Sequence, residues 1–305
     1  MKRYICDEFI QMEYDNNLFE FEVAEVKVWP YIREKIYCMI MKELGLIADS
    51  FTNAINVTGN VENPLYKLFY MQTYKYLKYP NIEKKSYLFL THPRRIKNEK
   101  NFECTVLDEL IEHIDGESYT IEEPLWVDSL ADKLSHFCPA RTKKLIYTDY
   151  IELKFEVAYS LSRKFLWSAL NKKEREKIKG LKLLLNRLFE VNIDTSFEQI
   201  CLKHILYERI VRKDYRKILD KIEPKLILEY YSPTRTKQVI NTIAHEKGIK
   251  IIDLQHGMFG RNEPLMSNYY KKEKLVNYPD YLFVFGDYWR TKSRYCLQRE
   301  NIISV

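Results

Sequence analysis

Glycine is scarce in this chain: 8 residues of 305, little more than a third of the usual share of about 7%. The scarcity removes several functions together. There is no GxGxxG turn and no GxxxxGK[ST] loop, so neither the dinucleotide nor the P-loop phosphate cradle is encoded. A GxSxG nucleophile elbow and the protein-kinase motif set are also missing. Cysteine is sparse and scattered; the nearest two, Cys6 and Cys38, stand 32 positions apart. That spacing excludes CxxC redox pairs and zinc hooks, and the thiols read as reduced core residues. No uncharged apolar run approaches the roughly 20 residues of a membrane span. The first residues, MKRYICDEFIQMEYDNN, carry acids from position 7 and lack the apolar centre of a signal peptide. The sequence therefore reads as cytoplasmic, at most peripheral at the inner face of a membrane.

What is present is ordinary globular material, 46% hydrophobic and 30% charged, with a net charge of +6. This excludes a disordered or collagen-like chain. Two textures alternate. Short apolar runs occur at 85–91 (KSYLFLT), near 118–121, and at 225–231 (KLILEYY), 249–254 (IKIIDL), 281–285 (YLFVF) and 301–305 (NIISV). Several are nearly continuous rather than alternating, which predicts strands of a parallel sheet buried on both faces. Residues 234–247 (TRTKQVINTIAHEK) predict a helix ending at Gly248, so strand, helix, glycine and strand follow within one βαβ unit. The expected fold class is α/β, a Rossmann-like parallel sheet with added N-terminal and middle helices.

Four segments follow from this texture. Residues 1–80 predict a helical cover, with helices starting near Trp29-Pro30 and over 63–79. Residues 81–149 and 225–305 predict the two parts of the Rossmann-like domain. Between them, 150–224 reads as a basic helical insertion. It holds two long amphipathic helices, 171–190 and 196–224, the second with Ser196 as its expected N-cap. The first carries seven Lys/Arg against three acids, a solvated face or one suited to an anionic membrane surface. No nucleic-acid-binding motif accompanies the charge.

In an open α/β sheet, ligands bind outside the carboxyl ends of the strands. Glycine-poor though the chain is, IIDLQHGMFGRNEP places Gln255, His256 and Gly257 at a strand end, with Gly260, Arg261 and Glu263 following. A histidine there can move a proton near neutral pH, and Glu263 can act as acid or base. Arg261 suits phosphate or carboxylate, and Gly257 lets a ligand approach the backbone. The plain alternative is a histidine that satisfies a strand-end carbonyl. A second strand end, THPRRIK, offers His92, Arg94 and Arg95 to an anion. The third, YYSPTR, offers Ser232 and Arg235 at the start of a helix, where Ser232 as a plain N-cap is the alternative. His113, His136, His204 and His245 read as structural or surface residues, and no metal site is apparent.

The block LQHGMFGRNEP followed by NYPDYLFVFGDYWR resembles bacterial glycosyltransferase-like proteins of capsule and surface-polysaccharide synthesis. The segment VKVWPYIREKIY near the N-terminus is similar to a Trp-Pro-Tyr-x-Arg segment of the same group. A more distant similarity is to polyglycerol-phosphate transferases of the teichoic-acid type. The resemblance implies a GT-B architecture of two Rossmann-like domains, a nucleotide-sugar donor as substrate, no cofactor and no obligatory metal. It places His256 and Gly257 at the cleft and matches Gly286 to the glycine that closes the later strand. The implied partners are a nucleotide sugar and a polysaccharide or lipid-linked acceptor, without nucleic acid. In such enzymes the second domain holds most of the nucleotide. This chain stops at NIISV, so the expectation is an acceptor-side half with most of the donor pocket missing. The rival expectations are a nucleotide-sugar epimerase, which needs paired carboxylates, and a non-catalytic scaffold for glycan and membrane.

Overall fold

The computed structural model describes residues 4–47, 82–91, 96–97, 102–104, 106–114, 116–122, 142, 144–257 and 268–305. The helix expected over 63–79, and His92, Arg94, Arg95, Gly260, Arg261 and Glu263, lie outside the described residues.

The chain opens with α1 (Ile5–Asp15), a hairpin of β1 (Glu22–Val23) and β2 (Val26–Lys27), and α2 (Trp29–Glu43). The hairpin turns on Ala24 and Glu25, both with left-handed backbone (φ 52° and 65°). That is the conformation a two-residue hairpin needs, carried here without glycine or asparagine. The sheet starts at β3 (Tyr87–Leu90). A small hairpin of β4 (Ile96–Lys97) and β5 (Phe102–Glu103) leads to α3 (Asp108–His113), β6 (Ser118–Glu122) and β7 (Leu145–Tyr147). Four helices follow: α4 (Asp149–Ser162), α5 (Leu166–Ala169), α6 (Lys172–Phe189) and α7 (Ser196–Ile222). The chain then returns to the sheet through β8 (Leu226–Tyr230), α8 (Arg235–Glu246), β9 (Lys250–Leu254), β10 (Tyr281–Val284), α9 (Asp287–Lys292) and β11 (Ile302–Ser304).

Seven strands pair in the order β11-β10-β9-β8-β3-β6-β7, all parallel. From β3 the chain winds outward through β6 and β7. It then crosses back to β8 on the other side of β3 and winds outward again to β11. This is the doubly wound Rossmann-like order, and its winding reverses between β3 and β8. Side chains alternate between the faces, and both faces are covered. Leu88, Leu90, Ile227 and Ile251 pack under α7 and α8 through Val211, Tyr215, Leu219, Val239 and Ile243. Phe89 and Leu228 pack on the other face with Leu107 and Ile111. Burial on both sides is why these strands read as continuous apolar runs.

The N-terminal helices differ from a simple cover on the sheet. Phe9, Trp29, Ile32 and Ile36 of α1 and α2 pack with Ile178 and Leu185 of α6 and with Phe197 and Cys201 of α7. This second core contains no strand of the large sheet. It touches the sheet layer through Tyr31, whose hydroxyl meets Thr242 Oγ1 at 2.5 Å, and through Asn277 Nδ2, which donates to Pro30 O at 3.4 Å.

Helix ends follow local chemistry. Asn171 and Glu174 form a reciprocal capping box on α6, each bond 2.9 Å. Ser196 is not the N-cap of α7; Asp194 Oδ1 accepts from its backbone N–H at 2.8 Å instead. Gly248, with φ 72°, closes α8 in the left-handed form that glycine adopts without penalty.

Candidate functional site

Because every strand of the seven-stranded sheet is parallel, all its carboxyl ends lie on one edge. β8 runs out into Tyr231-Ser232, β9 into Gln255-His256-Gly257, and β10 into Phe285-Gly286. Gln255 fixes the middle of this edge. Its Nε2 donates to Gly257 O at 2.6 Å, its Oε1 accepts from Phe285 N at 2.8 Å, and its backbone N–H donates to Phe283 O at 2.9 Å. The glutamine side chain is fully buried, so the turn carrying His256 is stapled to the next strand. His256 is half-buried. Its ring centroid lies 5.0 Å from that of Tyr230 and 4.6 Å from that of Tyr231, and Tyr230 Oη donates to its carbonyl at 3.3 Å. Among the described residues nothing stands within 4 Å of where a side chain on Gly257 would start. Gly286 has φ 147°, a conformation reserved for glycine.

Tyr231 departs from ordinary backbone: φ is 69°, an arrangement that costs a bulky residue about 1–3 kcal/mol. Two buried side chains, Lys237 of α8 and Asp253 of β9, hold it. Lys237 Nζ donates to Tyr230 O at 2.5 Å and to Tyr231 O at 3.2 Å. Asp253 Oδ2 accepts from Ser232 N at 3.3 Å. Asp253 and Lys237 are both fully buried, and burial pushes the Asp253 carboxyl up to about 7. Glu229, paired across the strands with Asp253, accepts from Asn241 Nδ2 at 2.9 Å. None of this polar layer was legible as a site from residue type, because each member looks like a surface charge.

The edge brings Ser232, Gln255, His256, Gly257 and Gly286 together. Ser232 does not cap α8, whose cap is Thr234, its side chain accepting from Lys237 N at 3.3 Å. Ser232 is buried and lines a cleft with Arg33, Gln238 and Asn277. Arg235 is not brought to this group. Its guanidinium lies 3.6 Å from the Tyr207 ring centroid and 4.7 Å from that of Phe155, with Glu152 Oε2 at 3.6 Å. It joins α8 to α4 and α7.

The residues that carry the sequence resemblance divide by role. Trp29 and Arg33, one helical turn apart, converge on Glu13 of α1. Trp29 Nε1 donates to Glu13 Oε1 at 2.7 Å, while Arg33 Nε and Nη2 each reach one carboxylate oxygen at 2.6 Å. The pair is buried on both sides, and Arg33 also lies over the Tyr269 ring at 4.5 Å. Asp280 of the PDY sequence accepts from Ile251 N at 3.1 Å and meets His245 Nε2 at 3.1 Å. Both are fastenings of the fold. The turn bearing His256 is what remains facing the edge. Among the described residues no cluster of His, Cys, Asp and Glu is arranged to hold a metal ion, and no helix is long and apolar enough to cross a membrane. Comparison with protein-family models, with curated proteins and with solved structures finds no match to this chain, so the fold and this edge carry the functional reading.

Proposed function

We propose that this chain serves in glycosyl transfer, moving a sugar from a nucleotide-activated donor to an acceptor hydroxyl in bacterial capsule or surface-polysaccharide synthesis. The observation that carries the reading is the placement of His256. It lies on the carboxyl edge, one strand from the winding reversal, on a turn stapled by Gln255 and flanked by Tyr230 and Tyr231. In this role the imidazole accepts the proton of the acceptor hydroxyl. The hydroxyl oxygen bonds to the anomeric carbon, and the bond to the donor's diphosphate breaks with its electron pair. Arg261, Glu263, His92, Arg94 and Arg95 follow the same strand ends in sequence, the cations suited to the departing diphosphate.

An epimerase is less well supported: Glu229 and Asp253, adjacent across the strands, are sealed beneath α8 rather than open to the edge. A non-catalytic glycan scaffold is separated by turnover.

The test is His256→Ala in the intact enzyme, followed by nucleoside diphosphate release. Turnover is expected to fall about 10²-fold or more with the melting temperature unchanged, as for loss of a general base. A variant that melts far lower yet keeps its activity per folded molecule would make the histidine structural and end this reading.

A further inference from the structure

We propose that the knuckle joining α4 to α6 is a docking surface for anionic lipid, set on the same side of the molecule as the candidate site. The inference stands apart from the transferase reading. Four observations carry it.

The first is misplaced apolar surface. Val157 and Leu161 stand one turn apart on α4, and Phe165 follows after the helix ends; Leu161 is 76% and Phe165 68% exposed. Leu183 on α6 is 62% exposed. Exposed apolar side chains of this size, standing beside cations, suit insertion into a lipid interface.

The second is charge. Residues 163–179 hold seven Lys/Arg against two acids. Arg163, Lys164, Lys172, Lys173 and Lys179 are exposed, while Lys177 Nζ donates to Glu22 O of the N-terminal hairpin at 3.0 Å. The acids are already engaged: Glu174 in the capping box, and Glu176 3.9 Å from Lys172.

The third is proximity. Lys179 Nζ lies 5.8 Å from the ring centroid of Trp167. That contact joins α6 to the segment just after Phe165, and Leu183 is one turn further along α6 from Lys179. The apolar tips and the cations therefore share one corner.

The fourth is direction. Tyr207 Oη meets Thr236 Oγ1 at 2.9 Å, which fixes the level of α7 at the carboxyl end of β8. Glu152 of α4 accepts from the same Tyr207 hydroxyl at 2.5 Å. Further along α4, Tyr159 lies beneath Lys203 at 5.1 Å, one turn earlier on α7. The two helices are antiparallel, and α4 climbs away from the sheet. The ten residues from Glu152 to Ser162 rise about 15 Å beyond the carboxyl edge. A surface docked there faces the lipid with the edge that bears His256 turned the same way.

The experiment is co-sedimentation of the full chain with phosphatidylcholine vesicles of which one third is phosphatidylglycerol, beside pure phosphatidylcholine vesicles. Binding to the anionic vesicles is expected at low salt, at least about 10-fold stronger than to neutral ones, and lost near molar salt. Lys164→Glu/Lys172→Glu/Lys173→Glu and Leu161→Ser/Phe165→Ser are each expected to weaken it about 10-fold or more while circular dichroism and melting stay unchanged. Phe165→Trp should shift its emission to the blue on the vesicles. Absent binding, equal binding to neutral vesicles, or an unshifted Phe165→Trp emission would each overturn the proposal. So would equal affinity for a single-stranded oligonucleotide that Leu161→Ser/Phe165→Ser leaves intact, which would mark a polyanion site. Vesicle binding and sugar transfer are read separately, so either reading can fail without the other.

Discussion

Arg33→Met should be among the most damaging single substitutions in this protein. Arg33 and Glu13 are each 1% exposed, and both oxygens of the carboxylate are gripped by the guanidinium at 2.6 Å. Methionine fills similar space but leaves Glu13 buried, with Trp29 Nε1 as its remaining side-chain donor among the described residues. Removing one partner of a buried pair costs about 3–5 kcal/mol, because the survivor keeps its charge and loses its compensation. The variant also loses the guanidinium's contacts with the rings of Tyr269 and Phe19. For a chain of 305 residues the loss corresponds to a drop of roughly 5–8 °C in melting temperature. Arg33→Lys keeps the charge without the fork and should fall between. The decisive comparison is Glu13→Leu/Arg33→Met, which replaces both charges with apolar groups and should recover all but about 1–2 kcal/mol. Urea midpoints and calorimetric melting of wild type, these three variants and Glu13→Leu alone measure this. A single variant losing less than about 1 kcal/mol, or a double variant as unstable as the two singles summed, would refute the buried-charge argument.

Other expectations concern pH and binding. Burial raises Asp253 to about 7 in the folded chain, so the folded state holds this proton more tightly than the unfolded state. Its contribution to stability is complete below about pH 4 and is lost as pH rises through 7. Asp253→Asn should remove that decline, and urea midpoints at both ends of the window that differ from wild type by equal amounts would contradict it. His204 behaves in the opposite sense: burial pushes it down to about 3, and its ring stacks on Tyr31 at 4.3 Å. Its contribution is complete above about pH 6.5 and drains away as pH falls toward 3. His204→Phe keeps the stack and should flatten that acid limb; an acid limb of unchanged steepness would tell against it. In calorimetry against nucleoside diphosphates and their sugars, a single Rossmann-like sheet without a glycine-rich phosphate loop should bind more weakly than micromolar. A micromolar affinity would place a complete donor pocket within these residues.

The strands were legible because burial on both faces writes an unbroken apolar run, as in YLFL and LILEY. β7 was not, because Leu145–Tyr147 is too short to separate from helix by pattern. The β1–β2 turn hides behind Ala24 and Glu25, which carry no turn signal in their chemistry. At the site, His256 and Gln255 stood out because a strand end in an α/β sheet is a place with known consequences. Arg235 looked equally eligible at the start of α8. Sequence could not reveal that α4 and α7 supply Phe155 and Tyr207 to its guanidinium from far along the chain. Separation along the chain likewise hides Glu13 from Arg33, and Asp253 from the Ser232 amide it accepts from. Pairs of this kind depend on tertiary neighbours, and no local periodicity reports them.

The long helix α7 belongs to both hydrophobic cores. Its first turns bury Phe197, Cys201 and Ile205 among the N-terminal helices, and its later turns bury Val211, Tyr215, Leu219 and Ile222 against the sheet. Twenty-seven residues span about 40 Å without interruption. Fraying of either end exposes apolar surface in one core and weakens the hydrogen-bond ladder that the other shares. The two cores are thereby bound into one cooperative unit. The slowest-exchanging amides should run along α7 from one core into the other, and heat should melt sheet and helical layer in a single transition.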